Sequence, residues 1–184
     1  MDNALFYLIN RDLQNRLFDF LMPLLSAESH FRLPLLIAWI CLLVWGGRKG
    51  RVIAVLVLLL LLFSDQVSYL LKLLVRRPRP CRVLPEVHLL AGCSRSYSFP
   101  SNHAANVFSI GMYLSYFYRW LLVPALIVCL GVGLSRIYVG VHYPSDVAGG
   151  ALLGLLCATL WILLHRAILA VGDRRRTMGS CHHG

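Results

Sequence analysis

The apolar run over residues 52–71 limits what this chain can fold into more than any other feature. As an α-helix rising 1.5 Å per residue, the run is about 30 Å long, which matches the hydrocarbon thickness of a bilayer. The rest of the chain has the same character, with 58% hydrophobic residues and a mean hydropathy of +0.68, far above the averages of soluble proteins. The sequence therefore predicts an integral membrane protein.

Further apolar segments repeat this pattern along the chain. They occupy residues 33–47, 101–118, 120–135 and 147–164. Residues 4–25 place apolar side chains at helical spacing with charged ones between them, which predicts an amphipathic helix that either spans the membrane or lies in its interface. Gly150 and Gly154 form a GxxxG pattern that favours close helix packing. We therefore expect one all-α domain over 1–184, a membrane-embedded bundle of about six transmembrane helices, with a flexible tail at 173–184.

Residues 76–100 form a long polar segment between apolar runs. They contain four prolines, five arginines and no sustained period, which predicts an extracytoplasmic loop. Basic residues are nearly balanced between the two predicted sides of the membrane, so the positive-inside rule discriminates only weakly. We place both termini in the cytoplasm and interpret the outer arginines as ligands for an anion. If the loop faces an oxidising compartment, Cys81 and Cys93 are candidates for a disulfide.

The basic residues also restrict the function classes. There are 16 arginines and only two lysines, a bias that favours bidentate recognition of phosphate. The basic clusters lie between apolar runs, without interleaved aromatic residues on a soluble domain, so nucleic acid is not an expected partner. The histidines lack HExxH spacing and nearby arginines would repel a cation, so no metal site and no cofactor are expected.

A short polar stretch over residues 135–146 lies between two apolar runs. It contains Arg136, His142 and Asp146, and ionisable groups at such positions are costly and usually functional. A carboxylate four residues after a histidine suggests an imidazole held in one tautomer, and the start of the next helix nearby favours an anion. The trio indicates phosphate chemistry, while a buried polar network without catalysis is the alternative.

Three polar groups are expected at one membrane surface, because each lies at a predicted helix end. They are Lys72 with Arg79, then Ser101, Asn102 and His103, then Arg136, His142 and Asp146. Three motifs together resemble the three-part signature of the type 2 phosphatidic acid phosphatase superfamily. They are Lys72 separated by six residues from Arg79-Pro80, the sequence PSNH at 100–103, and SR-x5-H-x3-D at 135–146. The resemblance covers 72–146 in order, with one departure: the middle motif usually has glycine where this chain has Asn102.

The resemblance implies a role for each matched residue. Lys72, Arg79, Ser101, Asn102 and Arg136 would bind the phosphate. His142 would attack phosphorus as the nucleophile, oriented by Asp146. His103 would protonate the leaving oxygen and then activate water.

The expected function is a metal-independent lipid phosphatase or diphosphatase in a bacterial inner membrane, with its active site facing the periplasm. The arginines over 76–82 exceed the needs of one phosphate, so undecaprenyl diphosphate is the preferred substrate. Phosphatidylglycerophosphate, phosphatidic acid and lipid A phosphates are alternatives, as are phosphoryl transfer between lipids and a non-enzymatic anion-binding or lipid-binding protein. Lipid phosphate and membrane lipids are the expected partners.

Overall fold

The computed structural model describes residues 1–180, and in this part of the chain it contains helices and no strands. The helices are α1 (Asp2–Tyr7), a π-helical turn (Leu8–Asp12), α2 (Arg16–Ser26), α3 (Glu28–Trp45), α4 (Gly47–Val75), α5 (Pro80–Val83), α6 (Asn102–Phe117), a 3-10 turn (Arg119–Leu121), α7 (Leu122–Tyr138) and α8 (Pro144–Ser180). The predicted all-α class is confirmed.

Three stretches among the described residues are long and apolar enough to cross a membrane. They are Gly47–Val83, Arg119–Tyr138 and Pro144–Ala167, with a shorter apolar helix at Arg32–Trp45. Large apolar side chains such as Leu59 and Leu163 remain exposed on these helices, as expected where lipid covers them. The integral membrane class is confirmed, while the number of about six spans stays a prediction.

The N-terminal region differs from the single amphipathic helix expected over 4–25. It is divided into α1, the π-helical turn and α2. The break falls at Asn15, whose backbone is extended and whose side chain accepts a hydrogen bond from Phe18 N at 2.9 Å. Asn15 therefore acts as an N-cap that starts a new helix.

This N-terminal region packs against the end of the bundle where α7 finishes and α8 begins. Phe6 is fully buried beside Ile137 and Tyr143. Asp2 accepts a hydrogen bond from the backbone N–H of Ser145, in the first turn of α8, which then runs to the other end of the bundle. The start of the chain and the end of α8 therefore lie at opposite ends of the bundle, so the expectation that both termini lie on one side of the membrane is wrong for the described residues. The prediction failed because hydropathy alone could not place the amphipathic segment.

Close packing of α6 against α8 brings two predicted site segments together. A Cβ at Gly150 would lie 2.4 Å from Ser101 O, and one at Gly154 would lie 2.3 Å from Ala105 O. Glycine at both positions lets the two backbones approach, as the GxxxG pattern predicts. The backbone N–H of Ser101 consequently donates to Asp146 O at 3.0 Å.

The opposite end of the bundle is formed by the start of α4, the end of α6 and the later part of α8. Lys49 Nζ donates to Phe117 O at 3.3 Å and joins α4 to α6 there. Between the two ends, Ile53, Leu60 and Ala158 are fully buried in the main apolar core. The flexible tail predicted at 173–184 extends beyond the described residues at 181–184, and its flexibility stays a prediction.

Candidate active site

Lys72, near the end of α4, organises the loop that precedes α6. Its side chain is 6% exposed, and Nζ donates to Tyr97 O at 3.1 Å, Ser98 O at 3.4 Å and Pro100 O at 2.5 Å. A buried ammonium with three carbonyl partners is satisfied and fixed in place. Lys72 therefore places a positive charge beside the start of α6, where phosphate binding was predicted.

Arg79 is the predicted cation that lies closest to the predicted nucleophile. Its guanidinium donates to Ser96 O and Ser96 Oγ, both at 2.9 Å, and to Val141 O at 3.2 Å. Nη1 also lies 3.2 Å from His142 Nε2. Arg79 thus connects the loop after α4 with the segment between α7 and α8.

The contact with Arg79 determines which nitrogen of His142 carries the proton. A guanidinium has donors only, so Nε2 must accept and must be unprotonated. The proton of the neutral ring is then on Nδ1, which lies 3.5 Å from both Ser98 Oγ and Asp146 Oδ2. The free electron pair of His142 is therefore on Nε2, the atom that faces the cations.

His142 is held in its neutral form. It is 2% exposed, and burial lowers its pKa to about 3. The hydrogen bond with Asp146 acts in the opposite direction, and the charges of Arg79 and Arg136 lower the pKa further. A neutral imidazole at physiological pH retains the electron pair that a nucleophile requires.

Asp146, in the first turn of α8, is fully buried and accepts hydrogen bonds at both carboxylate oxygens. Oδ2 accepts from Tyr143 N at 2.8 Å and from the Ser98 hydroxyl. Oδ1 accepts from Arg77 Nη1 at 2.8 Å. This bonding fixes the side of the carboxylate that faces His142.

Ser101, Asn102 and His103 occupy the start of α6, as predicted. Ser101 is the N-cap, and its hydroxyl accepts from Ala104 N at 3.5 Å. Asn102 replaces the glycine of the family pattern, and its side-chain amide is directed away to Asp65 Oδ1 at 3.4 Å. His103 follows in the first turn of α6 and is half-buried. The start of this helix therefore offers backbone N–H groups and an imidazole on the side of the bundle that holds Asp146.

Arg136 takes a different direction from the other predicted phosphate ligands. Its Nη1 donates to Ser26 O at 3.0 Å and to the Ser26 hydroxyl. Its charge still acts on His142, whose pKa it lowers. The structure thus joins Arg79, His142 and Asp146 through direct contacts and places Arg136 at the edge of that group.

Two residues of the site were not predicted in these roles. Ser98 bonds to Asp146, and Arg77, considered only as a loop charge or headgroup ligand, contacts the same carboxylate. No periodic pattern in the loop marks Ser98. Arg77 stands two residues before Arg79 in a non-helical stretch, a spacing that places both on one side of an extended chain.

The loop that carries Arg79 is covalently closed. Cys81 and Cys93 form a disulfide with their Cα atoms 6.2 Å apart. Among the described residues there is no group of three or more His, Cys, Asp and Glu arranged to hold a metal ion. The groups gathered here instead provide positive charge, backbone donors and a neutral imidazole, which are the groups that an anion site with a nucleophile requires, at one end of a membrane helical bundle.

Comparison with known proteins identifies the family. The chain belongs to the PAP2 superfamily, whose family model matches residues 52–169. The chain is 36% identical over 113 residues to the bacitracin transport permease protein BcrC of Bacillus licheniformis, and 35% identical over 95 residues to the undecaprenyl-diphosphatase BcrC of Bacillus subtilis. These matches cover 60% and 52% of this chain and 54% and 49% of the two relatives, so the chain spans about half the length of the curated relatives it matches.

Solved structures cover more of the chain. The crystal structure of LpxE from Aquifex aeolicus matches with a TM-score of 0.74 and 29% identity, covering 88% of this chain and 94% of that one. A PAP2-type phosphatidylglycerolphosphate phosphatase from Bacillus subtilis matches with a TM-score of 0.73 and 26% identity, covering 90% and 87%. The fold is therefore that of membrane phosphatases of this family.

Proposed function

We propose that the protein hydrolyses a lipid phosphate or diphosphate at the membrane surface through a phosphohistidine intermediate. The observation that carries this proposal is the neutral, buried His142, whose unprotonated Nε2 lies 3.2 Å from Arg79. An imidazole oriented by Asp146 beside fixed cations is suited to attack a phosphorus atom whose negative charge the cations stabilise.

The reaction has two steps. In the first, the electron pair of His142 Nε2 forms a bond to phosphorus, the bond from phosphorus to the lipid oxygen breaks, and His103 donates a proton to that oxygen. In the second, His103 takes a proton from water, the water oxygen bonds to phosphorus, and the bond between phosphorus and Nε2 breaks to release phosphate. Arg79 and the backbone donors at the start of α6 contact the equatorial oxygens in both steps. Lys72, which is bonded to backbone carbonyls, and Arg136, which is bonded to Ser26, stabilise these oxygens through their charge.

Undecaprenyl diphosphate is the substrate that we propose. Relatives named undecaprenyl-diphosphatase support it, and Arg82, exposed one turn after Arg79, is the cation that we propose for a second phosphate. Arg77 does not add to this argument, because it is already paired with Asp146. Relatives named lipid A 4'-phosphatase and phosphatidylglycerophosphatase B keep those two lipid classes as competitors.

We further propose that the active site faces the periplasm of a bacterial inner membrane. The Cys81–Cys93 disulfide belongs to the loop that carries Arg79, and disulfides persist in oxidising compartments. The lipid chain then lies between the helices, while its phosphate stays at the surface.

Phosphate release from a panel of purified lipids tests the function. We expect undecaprenyl diphosphate to give a higher kcat/KM than phosphatidic acid, phosphatidylglycerophosphate or lipid A, and Arg82→Ala to reduce the difference. Turnover should survive exhaustive chelation, because side-chain cations already stabilise the charge that a divalent ion would stabilise.

Other results of the same assay would support other functions. Phosphate transfer to an added lipid alcohol would indicate a phosphotransferase that uses the same intermediate. Binding of the lipids without any turnover would indicate an anion-binding protein and contradict the proposal. Strict dependence on Mg²⁺ or Zn²⁺ would contradict the assigned chemistry.

A further inference from the structure

We propose that Arg77 is a positioning residue, held by Asp2, that fixes the orientation of Asp146 and thereby of His142. This inference rests on the proposed function and adds to it. It assigns a catalytic consequence to the N-terminal region, which lies outside the residues matched by the family model.

Arg77 is held on three sides. Nη1 donates to Asp146 Oδ1 at 2.8 Å and to Ser145 Oγ at 2.6 Å, while Nη2 donates to Asp2 Oδ2 at 2.5 Å. The guanidinium carbon lies 3.9 Å from the centre of the Tyr143 ring. A planar fork that binds two carboxylates and stacks on a ring has little freedom to turn toward a substrate.

Asp2 joins this arrangement to the start of α8. Its Oδ1 accepts from Ser145 N at 3.1 Å and its Oδ2 accepts from Ser145 Oγ at 2.6 Å. A carboxylate at the free N–H groups of a helix start is favourable, and here the same carboxylate also holds Arg77. Phe6 anchors α1 in this position, because it is fully buried against Tyr143.

The consequence for catalysis follows from the bonding of Asp146. Arg77 occupies Oδ1, so the carboxylate presents Oδ2 to Ser98 and His142. Loss of Arg77 would leave Oδ1 of a fully buried carboxylate without its charged partner, so that only the bonds at Oδ2 would hold the carboxylate in its orientation. The proton on His142 Nδ1 would then lose its fixed acceptor, and Nε2 would lose the orientation needed for attack.

A substrate contact by Arg77 predicts a different kinetic pattern. A residue that binds the lipid phosphate in both the ground and transition states changes KM with little change in kcat, whereas a residue that positions the nucleophile changes kcat. The two roles are therefore separable by measuring both constants for the same lipid.

The test compares five purified variants with wild type and His142→Ala, using release of phosphate from undecaprenyl diphosphate. The variants are Arg77→Ala, Arg77→Lys, Asp2→Ala, the Asp2→Ala/Arg77→Ala double variant and Arg51→Ala. Arg51 is the matched control, because it is exposed at the opposite end of the bundle and its Nε donates to Gly47 O of its own helix at 3.2 Å.

We expect Arg77→Ala to lower kcat by about 100-fold and Asp2→Ala by about tenfold, with KM changed by less than about threefold, as for residues that orient a reacting group. Because Asp2 acts through Arg77, the double variant should be no slower than Arg77→Ala alone. Arg77→Lys should remain slower than wild type, since an ammonium cannot reproduce the fork. Arg51→Ala should match wild type.

Several results would overturn the inference while leaving the proposed function intact. These are full kcat in Arg77→Ala with an inactive His142→Ala, a raised KM with unchanged kcat, or Asp2→Ala slowing the Arg77→Ala background as much as it slows wild type. If Arg77→Ala does not fold, Arg77→Lys and Asp2→Ala decide the matter, with thermal unfolding confirming their fold. An inactive wild type against every lipid would instead contradict the proposed function.

Discussion

The two ends of the bundle each contain a buried histidine, and their surroundings differ. At the active-site end, His142 is 2% exposed and lies between the Arg79 guanidinium and the Asp146 carboxylate. At the opposite end, His165 is 3% exposed, its Nδ1 lies 2.9 Å from Tyr113 Oη, and its ring centre lies 4.5 Å from that of Phe117. Burial is thus nearly equal, while one ring has ionic partners and the other has aromatic ones.

The difference teaches that burial alone does not mark a reactive histidine. The Tyr113 hydroxyl satisfies one nitrogen of His165 and aromatic rings pack against it, which is sufficient for a core residue. His142 instead has a cation at Nε2, the nitrogen that we propose as the nucleophile, and a carboxylate near Nδ1, the nitrogen that holds the proton. Charged groups on both sides of the ring, rather than low exposure, are the feature that indicates chemistry.

The largest expected difference between the two ends is in turnover. His142→Ala should lower kcat by more than about 10⁴-fold, because the nucleophile is removed. His165→Ala should retain turnover within about tenfold but lower the Tm, since it leaves the buried Tyr113 hydroxyl without a partner at a cost of about 1–3 kcal/mol. Kinetics and thermal unfolding of both variants measure this. Full activity in His142→Ala would refute the assignment of the nucleophile.

The carboxylate at the active-site end should have the next largest effect. Asp146→Asn should fold and lower kcat by about 10³- to 10⁴-fold, as the loss of an orienting carboxylate does. Asp65→Asn is the matched control, because Asp65 accepts from the side-chain amides of Asn106 at 2.9 Å and Asn102 at 3.4 Å, and the change leaves the backbone N–H groups at the start of α6 in place. Equal loss of kcat in both variants would show that Asp146 has no special relation to the histidine.

The Cys81–Cys93 disulfide should stabilise the active-site end of the bundle. Cys81→Ser/Cys93→Ser should lower the free energy of unfolding by roughly 2–3 kcal/mol, on the chain-entropy model for a loop of this length. Cys41→Ser, a change at a free cysteine, should have little effect. Chemical denaturation measures the stability, and mass spectrometry of protein prepared without reductant measures the bond. Free thiols at both Cys81 and Cys93 would show that the disulfide is not formed.

The smallest expected effect is on the pH dependence of stability, compared between wild type and His142→Gln. Unfolded His142 binds a proton near its ordinary pKa of 6.5, whereas folded His142 resists protonation until about pH 3. The unfolded state therefore binds more protons in this range, so the contribution to stability is fully present above pH 6.5 and is lost as the pH falls toward 3. We expect the Tm of wild type to fall more between pH 7 and 4 than that of His142→Gln. Parallel curves of Tm against pH for wild type and His142→Gln would contradict the lowered pKa of His142.

The positions of the matched motif residues were predictable because each lies at or beside the end of a long apolar run, where a polar or charged side chain stands out. Lys72 and His142 are placed by the ends of long apolar runs, and the GxxxG pattern correctly indicated the contact that brings Ser101 beside Asp146. The amphipathic first segment was not placed, because hydropathy does not determine which surface such a helix covers. The direction of Arg136 depends on Ser26, the last residue of α2, whose position follows from that unplaced segment, so it could not be predicted from the sequence either.

The position of the N-terminal region has a consequence for how the protein is made. Residues 1–26 lie at the active-site end, so biogenesis must carry them across the bilayer if that end faces the periplasm. Residues 1–26 contain five charged side chains, Asp2, Arg11, Asp12, Arg16 and Asp19. The positive-inside rule counts basic residues and gives little weight to acidic ones, and this segment has only two basic residues, Arg11 and Arg16, so it carries little of the signal that retains loops in the cytoplasm. Translocation of this segment would thus deliver Asp2 to Arg77 and complete the site only after insertion.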